Sequence, residues 1–457
     1  MASAFISRGN AVPIQIFSPT EFRKWLPSQP VSDQRWIKTN QFSARPGSHL
    51  SLPGRGGVLK TVLLGARPDE PLYQLAGLQK ALPRGNYQLL TELDQQQTEL
   101  AYLGWGLAAY RFRRYKKVPL PKARLLLPKE IKDRVDALLE AQNLVRDLIN
   151  TPTEDFGPAE LVEAVRLQAG EYAASMEVFT GDDLLDHNFP AVHAVGRASD
   201  SPPALIHLRW GDEGHPRLAL VGKGVCFDSG GLDIKSAAGM LKMKKDMGGA
   251  AHALALARLV MALELPVRLD LIIPAVENSI SGNAYRPGDV ISTRQGLTVE
   301  IGNTDAEGRI ILSDGLTLAC EQQPDLIIDF ATLTGAARVA LGTDLPALFT
   351  NSREVSAGLY QAGERVSDPV WPMPLYQPYK KLLASKIADL SNISKSSFGG
   401  AITAALFLEH FVARDIPWVH LDTYAWSDSD KPARPAGGEA MGLRAVFDFL
   451  SRRYRQG

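Results

Sequence analysis

From residue 150 onward, apolar runs of strand length alternate with stretches whose apolar residues fall at helical spacing. The runs are "PALIHLRW" (203–210), "RLALVGKGV" (217–225), "VRLDLIIPAV" (267–276), "DLIIDFATL" (325–333) and "WVHLDTY" (418–424). Between them stand "GMLKMKKDMGGAAHALALARLVMALE" (239–264) and "GGAITAALFLEHFVA" (399–413). Such alternation predicts a largely parallel sheet covered by helices on both faces. Upstream, Ile131, Val135, Leu138, Val145 and Leu148 recur on one helical face of "PKEIKDRVDALLEAQNLVRDLINTP" (128–152). Pro152 cannot continue that helix, which reads as a connector. The residues before it mix short apolar runs, such as "GGVLKTVLLGA" (56–66), with helical patterns. The expectation is an α/β protein of two domains. A smaller N-terminal α/β domain (1–127) is joined by a linker helix (128–152) to a C-terminal domain (153–457) with a largely parallel mixed sheet flanked by helices.

Composition adds exclusions. The 457 residues are 45% hydrophobic and 22% charged, as in a globular protein. The start, "MASAFISRGNAVPIQIFSPTEF", has no continuous apolar core of a signal peptide, and no stretch approaches the roughly 18 apolar residues of a membrane span. Two cysteines, Cys226 and Cys320, make no disulfide framework and fit a reducing, cytoplasmic setting. The net charge is zero but unevenly spread: residues 1–128 hold 18 Lys and Arg against 7 Asp and Glu. The basic run "YRFRRYKKVPLPKAR" (110–124) admits two readings. One is a polyanion surface, hence a bifunctional protein that also binds DNA. The other is the basic last turn of a helix beginning at "TELAYLGWG", suited to the helix dipole and to an acidic neighbour in the same molecule.

The candidate chemistry lies where strands should end. In "GNTDAEGRI" (302–310), Asp305, Glu307 and Arg309 alternate with Thr304, Ala306 and Gly308. A solvated loop opening a helix would do this, with Asp305 and Arg309 as an i,i+4 pair. Set beside the second cluster, however, the order is read as an extended segment that turns all three charges to one face. A second cluster, "VGKGVCFDSGGLDIKSAAGMLKMKKDMGGAA" (221–251), holds Lys223, Asp228, Lys235 and Asp246. It lacks the Gly-x-x-x-x-Gly-Lys-Ser/Thr order of a phosphate loop, and Asp228 would repel a triphosphate. His-Glu-x-x-His and Gly-x-Ser-x-Gly are both absent, and Cys226 sits between Val225 and Phe227 as a small buried residue would. Taken together, Asp228, Asp246, Asp305 and Glu307 carry four negative charges, which two divalent cations would balance. Lys223 can join them as a neutral amine beside dications. Lys235 and Arg309 are left as cations facing an anion or a polarised carbonyl.

The two clusters resemble those of the leucyl aminopeptidase family, the cytosolic M17 di-metal peptidases. "NTDAEGR" (303–309) is the family's signature, and "VGKG…FDSGG…K…M…DMGGAA" and "ATLTGA" (331–336) follow its order and spacing. The likeness runs from "AQNLVRDLINTPTEDFGP" to the end of the chain. It implies a di-metal peptidase in the C-terminal domain that hydrolyses the N-terminal, leucine-like residue of peptides through a hydroxide bridging two metals, Zn or Mn. It implies metal ligation by Lys223, Asp228, Asp246, Asp305 and Glu307, with Asp228 and Glu307 shared. Lys235 would polarise the scissile carbonyl, and Arg309 would hold bicarbonate or a similar anion acting as general base. Met243, Thr332, Leu333 and Gly335 would contact the substrate. A homohexamer in the cytoplasm, without membrane attachment, is implied too. Two departures stand out: Lys235 is followed by Ser-Ala-Ala where the family often has Pro, and "SKSSFGGA" (394–401) replaces a glycine- and arginine-containing turn.

Overall fold

The computed structural model of the chain describes residues 4–455. Two compact units separate: one runs up to Asn143 and includes Ser429–Ala436, and the other holds Leu144–Asp428 and the chain from Gly437 on. The return of Ser429–Ala436 to the first unit is a feature that periodicity does not reveal.

The first unit is built on a six-stranded sheet. Its order is Phe5–Ile6, Ala123–Leu126, Gly85–Leu89, Val12–Phe17, Leu59–Gly65 and His49–Pro53, all parallel except the last pair. Alternate positions feed opposite faces. Val62 and Leu64 join a cluster around Trp105 and Val135, whereas Leu63 joins Phe22 and Ile37. The helix Lys129–Asn150 buries Ile131, Val135, Leu138, Val145 and Leu148, and the division between units falls within it. The expected basic helical turn is not there. The helix Gln95–Ala109 stops before Arg111, and Arg113, Arg114, Lys116 and Lys117 stand exposed on irregular chain.

In the second unit, Trp418–Asp422, Leu326–Ala331, Arg217–Gly222 and Arg268–Asn278 lie side by side and parallel. Antiparallel strands Ala204–Trp210 and Ala347–Thr350 flank them, so the sheet is mixed with a parallel centre. Both faces are covered. Ala219, Val221, Ile327 and Ala331 pack with Ile310, Ile311 and Leu316 of the helix Glu307–Glu321. Phe330, pointing the other way, stacks on His252 of the helix Gly248–Ala262. That helix approaches closely because of Gly249: a Cβ there would lie 2.1 Å from the Phe330 carbonyl oxygen.

Two expected continuities break, and both breaks face the carboxyl ends of the strands. The run 217–225 divides at Lys223, after which Gly224–Asp228 shifts to pair with the far half of Arg268–Asn278. The stretch 239–264 is not one helix but Ala237–Met240, a 3-10 turn Met243–Lys245, and Gly248–Ala262. Glycines 248 and 249, poor helix formers, mark the second break. No helix among the described residues is long and apolar enough to cross a membrane.

Candidate active site

Beyond the carboxyl ends of the parallel strands, where open α/β sheets place their ligands, a cavity of about 550 Å³ opens. Lys223 stands at the break after Arg217–Gly222, and Asp228 ends Gly224–Asp228. Thr332 and Leu333 follow Leu326–Ala331, and Asp422 ends Trp418–Asp422. The interrupted helix supplies Met243, Lys245 and Asp246. Lys223 cannot enter a phosphate-loop helix here, because a strand follows it.

The five residues expected to hold metal come together. One carboxylate oxygen each from Asp228, Asp305 and Glu307 lies within 4.8 Å of the others. Lys223 Nζ sits 2.7 Å from Asp246 Oδ2 and 2.8 Å from Glu307 Oε1 and also donates to the Thr332 carbonyl. Lys235 Nζ lies 2.7 Å from Asp228 Oδ2 and pairs closely with Asp305. Lys223, Asp228, Asp246 and Glu307 are all buried.

Four carboxylates face two ammonium groups, and the excess shows. Burial and the charge of Asp228 push Glu307 up to about 8 and Asp305 up to about 6, against the pull of the lysines. Burial opposes charge on Lys223 as well, but Asp246, Glu307 and Asp228 outweigh it and raise its pKa. A set of oxygen donors this concentrated, with a lysine nitrogen at its centre, fits divalent cations: their charge would settle the carboxylates and release Lys223 from protonation.

The segment "GNTDAEGRI" (302–310) is not extended. Residues 302–306 form a turn and Glu307 begins the helix, so strand-like alternation is the wrong reason for the motif's order. The turn is pinned instead. Thr304 accepts from Asp233 N through Oγ1 and donates its own N–H to Asp233 Oδ2. Tyr285 Oη and Asn278 Nδ2 both donate to the Thr304 carbonyl. Asn392 Oδ1 accepts from Gly302 N and Asn303 N. Gly308 is small for a specific cause: a Cβ would lie 2.5 Å from Lys223 Cε. Arg309 is half-buried; its Nη1 donates to the Asn392 carbonyl and its Nε has no partner. Burial draws this guanidinium down to about 10, which Glu307 and Asp422 oppose.

Met243, Thr332, Leu333 and Gly335 line the same cavity. Thr332 Oγ1 donates to Asp246 Oδ1 at 2.7 Å. Ser236, in place of the family's frequent Pro, caps the helix Ala237–Met240 by accepting from Gly239 N. Cys226 is buried, and burial pushes its thiol well up, as for a packing residue.

Sequence reasoning passed over several residues. Asn278 donates to Asp228 Oδ1 at 2.9 Å and reaches Glu307 Oε2 at 3.5 Å. Asp422 accepts from Leu333 N and Thr334 N, fixing the segment after the neighbouring strand. Both are polar residues at the carboxyl end of an apolar run, which was the available signal. Lys245, Arg338 and Tyr424 also line the cavity, and Lys245 is buried; burial draws its ammonium down to about 8 while Asp246 opposes this.

Comparison with known proteins gives one answer. Residues 143–447 match the family model described as the cytosol aminopeptidase family, catalytic domain, and residues 12–128 match the M17 aminopeptidase N-terminal domain. A probable cytosol aminopeptidase of Rhodopirellula baltica is 41% identical over 346 residues, covering 74% of this chain and 68% of the relative. The crystal structure of the cytosol aminopeptidase from Coxiella burnetii aligns with a TM-score of 0.96 at 51% identity, covering 99% of this chain and 100% of that one. The bottromycin maturation enzyme BotP, in complex with Mn, aligns with a TM-score of 0.88 at 31% identity, covering 98% of this chain and all of BotP.

Proposed function

Because the chain belongs to the cytosol aminopeptidase (M17) family of metallo-aminopeptidases, we propose that it releases N-terminal residues from peptides at the cavity just described, with Lys223, Asp228, Asp246, Asp305 and Glu307 holding two divalent cations. The observation that carries this is the convergence of Asp228, Asp305 and Glu307 within 4.8 Å, with Asp246 tied to Glu307 through Lys223. When bound, the cations, Zn or Mn by ligand chemistry and family, would supply Lewis acidity and lower the pKa of the attacking water.

The chain's own residues would do the rest. Asn278 and Gly230 N hold the Asp228 carboxylate through Oδ1, leaving Oδ2 to face the cavity. Thr332 holds Asp246 in the same way. Lys235, flanked by Asp228 and Asp305, would donate to the scissile carbonyl oxygen as charge develops there. Arg309 would hold bicarbonate or a similar anion: its free Nε and anchored Nη1 support a guanidinium fixed for a ligand. Met243, Thr332, Leu333 and Gly335 would border the first side chain, and a leucine-like preference rests on their resemblance alone. The homohexamer belongs to the same reading, and light scattering that returns only the 49.8 kDa monomer would remove it.

The test is peptide hydrolysis by the purified enzyme before and after chelation. Activity should vanish when metal is stripped and return with Mn or Zn. Full activity in demonstrably metal-free protein would overturn the proposal.

A further inference from the structure

Three cations besides Lys223 and Lys235 line the cavity: Lys242, Lys245 and Arg338. Lys242 is paired with Asp428. The charged ends of Lys245 and Arg338 have no ion-pair partner among the described residues; each lies 5.1 Å from the centroid of the Tyr424 ring. Two like charges thus converge on one aromatic face system, and Lys245 is only 5% exposed. The attraction of the ring face for each of them is weaker than the cost of burying an unpaired ammonium, before like-charge repulsion is added.

The nearby carboxylates are already committed. Asp246 is held by Lys223 and Thr332. Asp422 accepts from Leu333 N at 3.0 Å, Thr334 N at 3.1 Å and Thr334 Oγ1 at 2.6 Å. The arrangement stabilises the fold poorly, and such local conflicts concentrate where a ligand completes the set. Its position says which part of the ligand. Lys245 is two residues from Met243 and adjoins Asp246, and an Arg338 nitrogen lies 3.7 Å from where a Cβ on Gly335 would stand. Both belong to the border expected around the first side chain.

We propose that Lys245, Arg338 and the Tyr424 ring form a carboxylate-binding corner for the first side chain, so that the enzyme selects peptides beginning with Glu or Asp. The charged fork of Arg338 and the ammonium of Lys245 grip the carboxylate, and Tyr424 holds the two cations in place. This rests on the aminopeptidase reading and replaces leucine as the favoured first residue.

The test compares kcat/KM of the metal-loaded, full-length enzyme on Glu-Ala-Ala, Gln-Ala-Ala and Leu-Ala-Ala, each amidated so that no other carboxylate is present. Glu should exceed Gln and Leu by about tenfold or more. Lys245→Met and Arg338→Gln should each cut the Glu/Gln ratio by about tenfold. Arg338 is exposed, so its variant tests the corner even if the buried lysine is needed for folding. Faster cleavage of Gln or Leu than of Glu overturns the proposal, as does a Glu/Gln ratio unmoved in both variants. If the same three peptides, repeated as free acids, are cut well only in that form whatever their first residue, the corner binds a C-terminal carboxylate and the assignment to the first side chain fails. If none of the peptides is hydrolysed, the aminopeptidase reading itself falls and takes this one with it.

Discussion

Glu307 and Asp314 stand on one helix, two turns apart, and both are buried. Burial lifts both carboxyls: Glu307 to about 8 and Asp314 to about 7. Their partners differ in kind. Asp314 Oδ2 accepts from Ala191 N at 2.9 Å and Val192 N at 3.2 Å, and Oδ1 accepts from Arg294 N at 2.8 Å. Two of those amides lie in the first turn of Pro190–Gly196, where a helix leaves donors without internal acceptors. Glu307 faces charged side chains: Lys223 at 2.8 Å, with Asp228 and Asp246 repelling it. Backbone donors are fixed by the fold, whereas a side-chain ammonium can be exchanged for a ligand. Equal burial and similar shifts therefore separate into a structural carboxylate and one proposed to hold metal only when the partners are named.

Neutralising each should separate them most sharply. Glu307→Gln keeps the volume and removes the charge. Peptide hydrolysis should fall by about a thousandfold or more, on the scale of losing a group that acts on the reacting centre. The melting temperature in chelator should hold, because a carboxyl lifted to about 8 is already largely neutral at pH 7 when no metal is bound. A large drop in melting temperature alongside the lost activity would make Glu307 structural too. Asp314→Ala should do the reverse. It leaves the buried N–H groups of Ala191 and Val192 and the half-buried one of Arg294 without an acceptor, at roughly 1–3 kcal/mol for each buried donor, so a loss of about 2 kcal/mol or more is expected in denaturant titration. Activity per folded molecule should change by less than about threefold. Lost activity at full stability would erase the contrast.

The sequence displays these two residues differently. Glu307 was legible because it belongs to a short polar motif and because Lys223, Asp228, Lys235 and Asp246 supply the rest of the charge balance. The parallel strands were legible too, since runs buried on both faces are nearly continuous in Val, Ile and Leu. Asp314 was not, because a lone Asp inside "IILSDGLTLA" looks like a solvated helix position. Its partners, Ala191, Val192 and Arg294, are remote in sequence and use backbone atoms that carry no residue identity. The same reason hid Asn278 and Asn392, whose work is to hold a turn. The shape of "GNTDAEGRI" was misjudged because alternation suggests a strand, while the fold needs a pinned turn that delivers Glu307 as the first helical residue. The return of Ser429–Ala436 to the first unit, and the meeting of Lys245 with Arg338 at Tyr424, depend on tertiary approach and leave no periodic trace.

Gly308 sharpens the comparison from the functional end of the helix. Its missing Cβ gives room to Lys223, whose Cε, Cδ and Nζ would lie 2.5, 2.7 and 2.7 Å from it. A lysine end can usually swing away, but this one is buried between Asp246 and Glu307. Gly308→Ala should therefore displace the ammonium rather than unfold the helix, for which Ala is the better former by about 1 kcal/mol. Metal affinity and kcat/KM should fall together by about ten- to a hundredfold, with stability within about 1 kcal/mol of wild type. Unchanged metal affinity would show that Lys223 has another place to go.

The smallest effect concerns Asp314 and pH. Its carboxyl titrates near 7 in the fold against 3.8 in the unfolded chain. A raised pKa means that the folded state holds the proton longer. The stabilisation is complete below the unfolded value and is lost as pH rises through the folded one. Between pH 6 and pH 8 this group alone should cost about 1.4 kcal/mol, half a proton averaged over two pH intervals. Denaturant titrations of metal-free enzyme should show that decline, and Asp314→Asn, which cannot ionise, should remove it while the background from other groups remains. If the slope is the same in both proteins, the three backbone donors hold Asp314 ionised throughout. The two carboxylates of the helix would then differ in charge state as well as in partners.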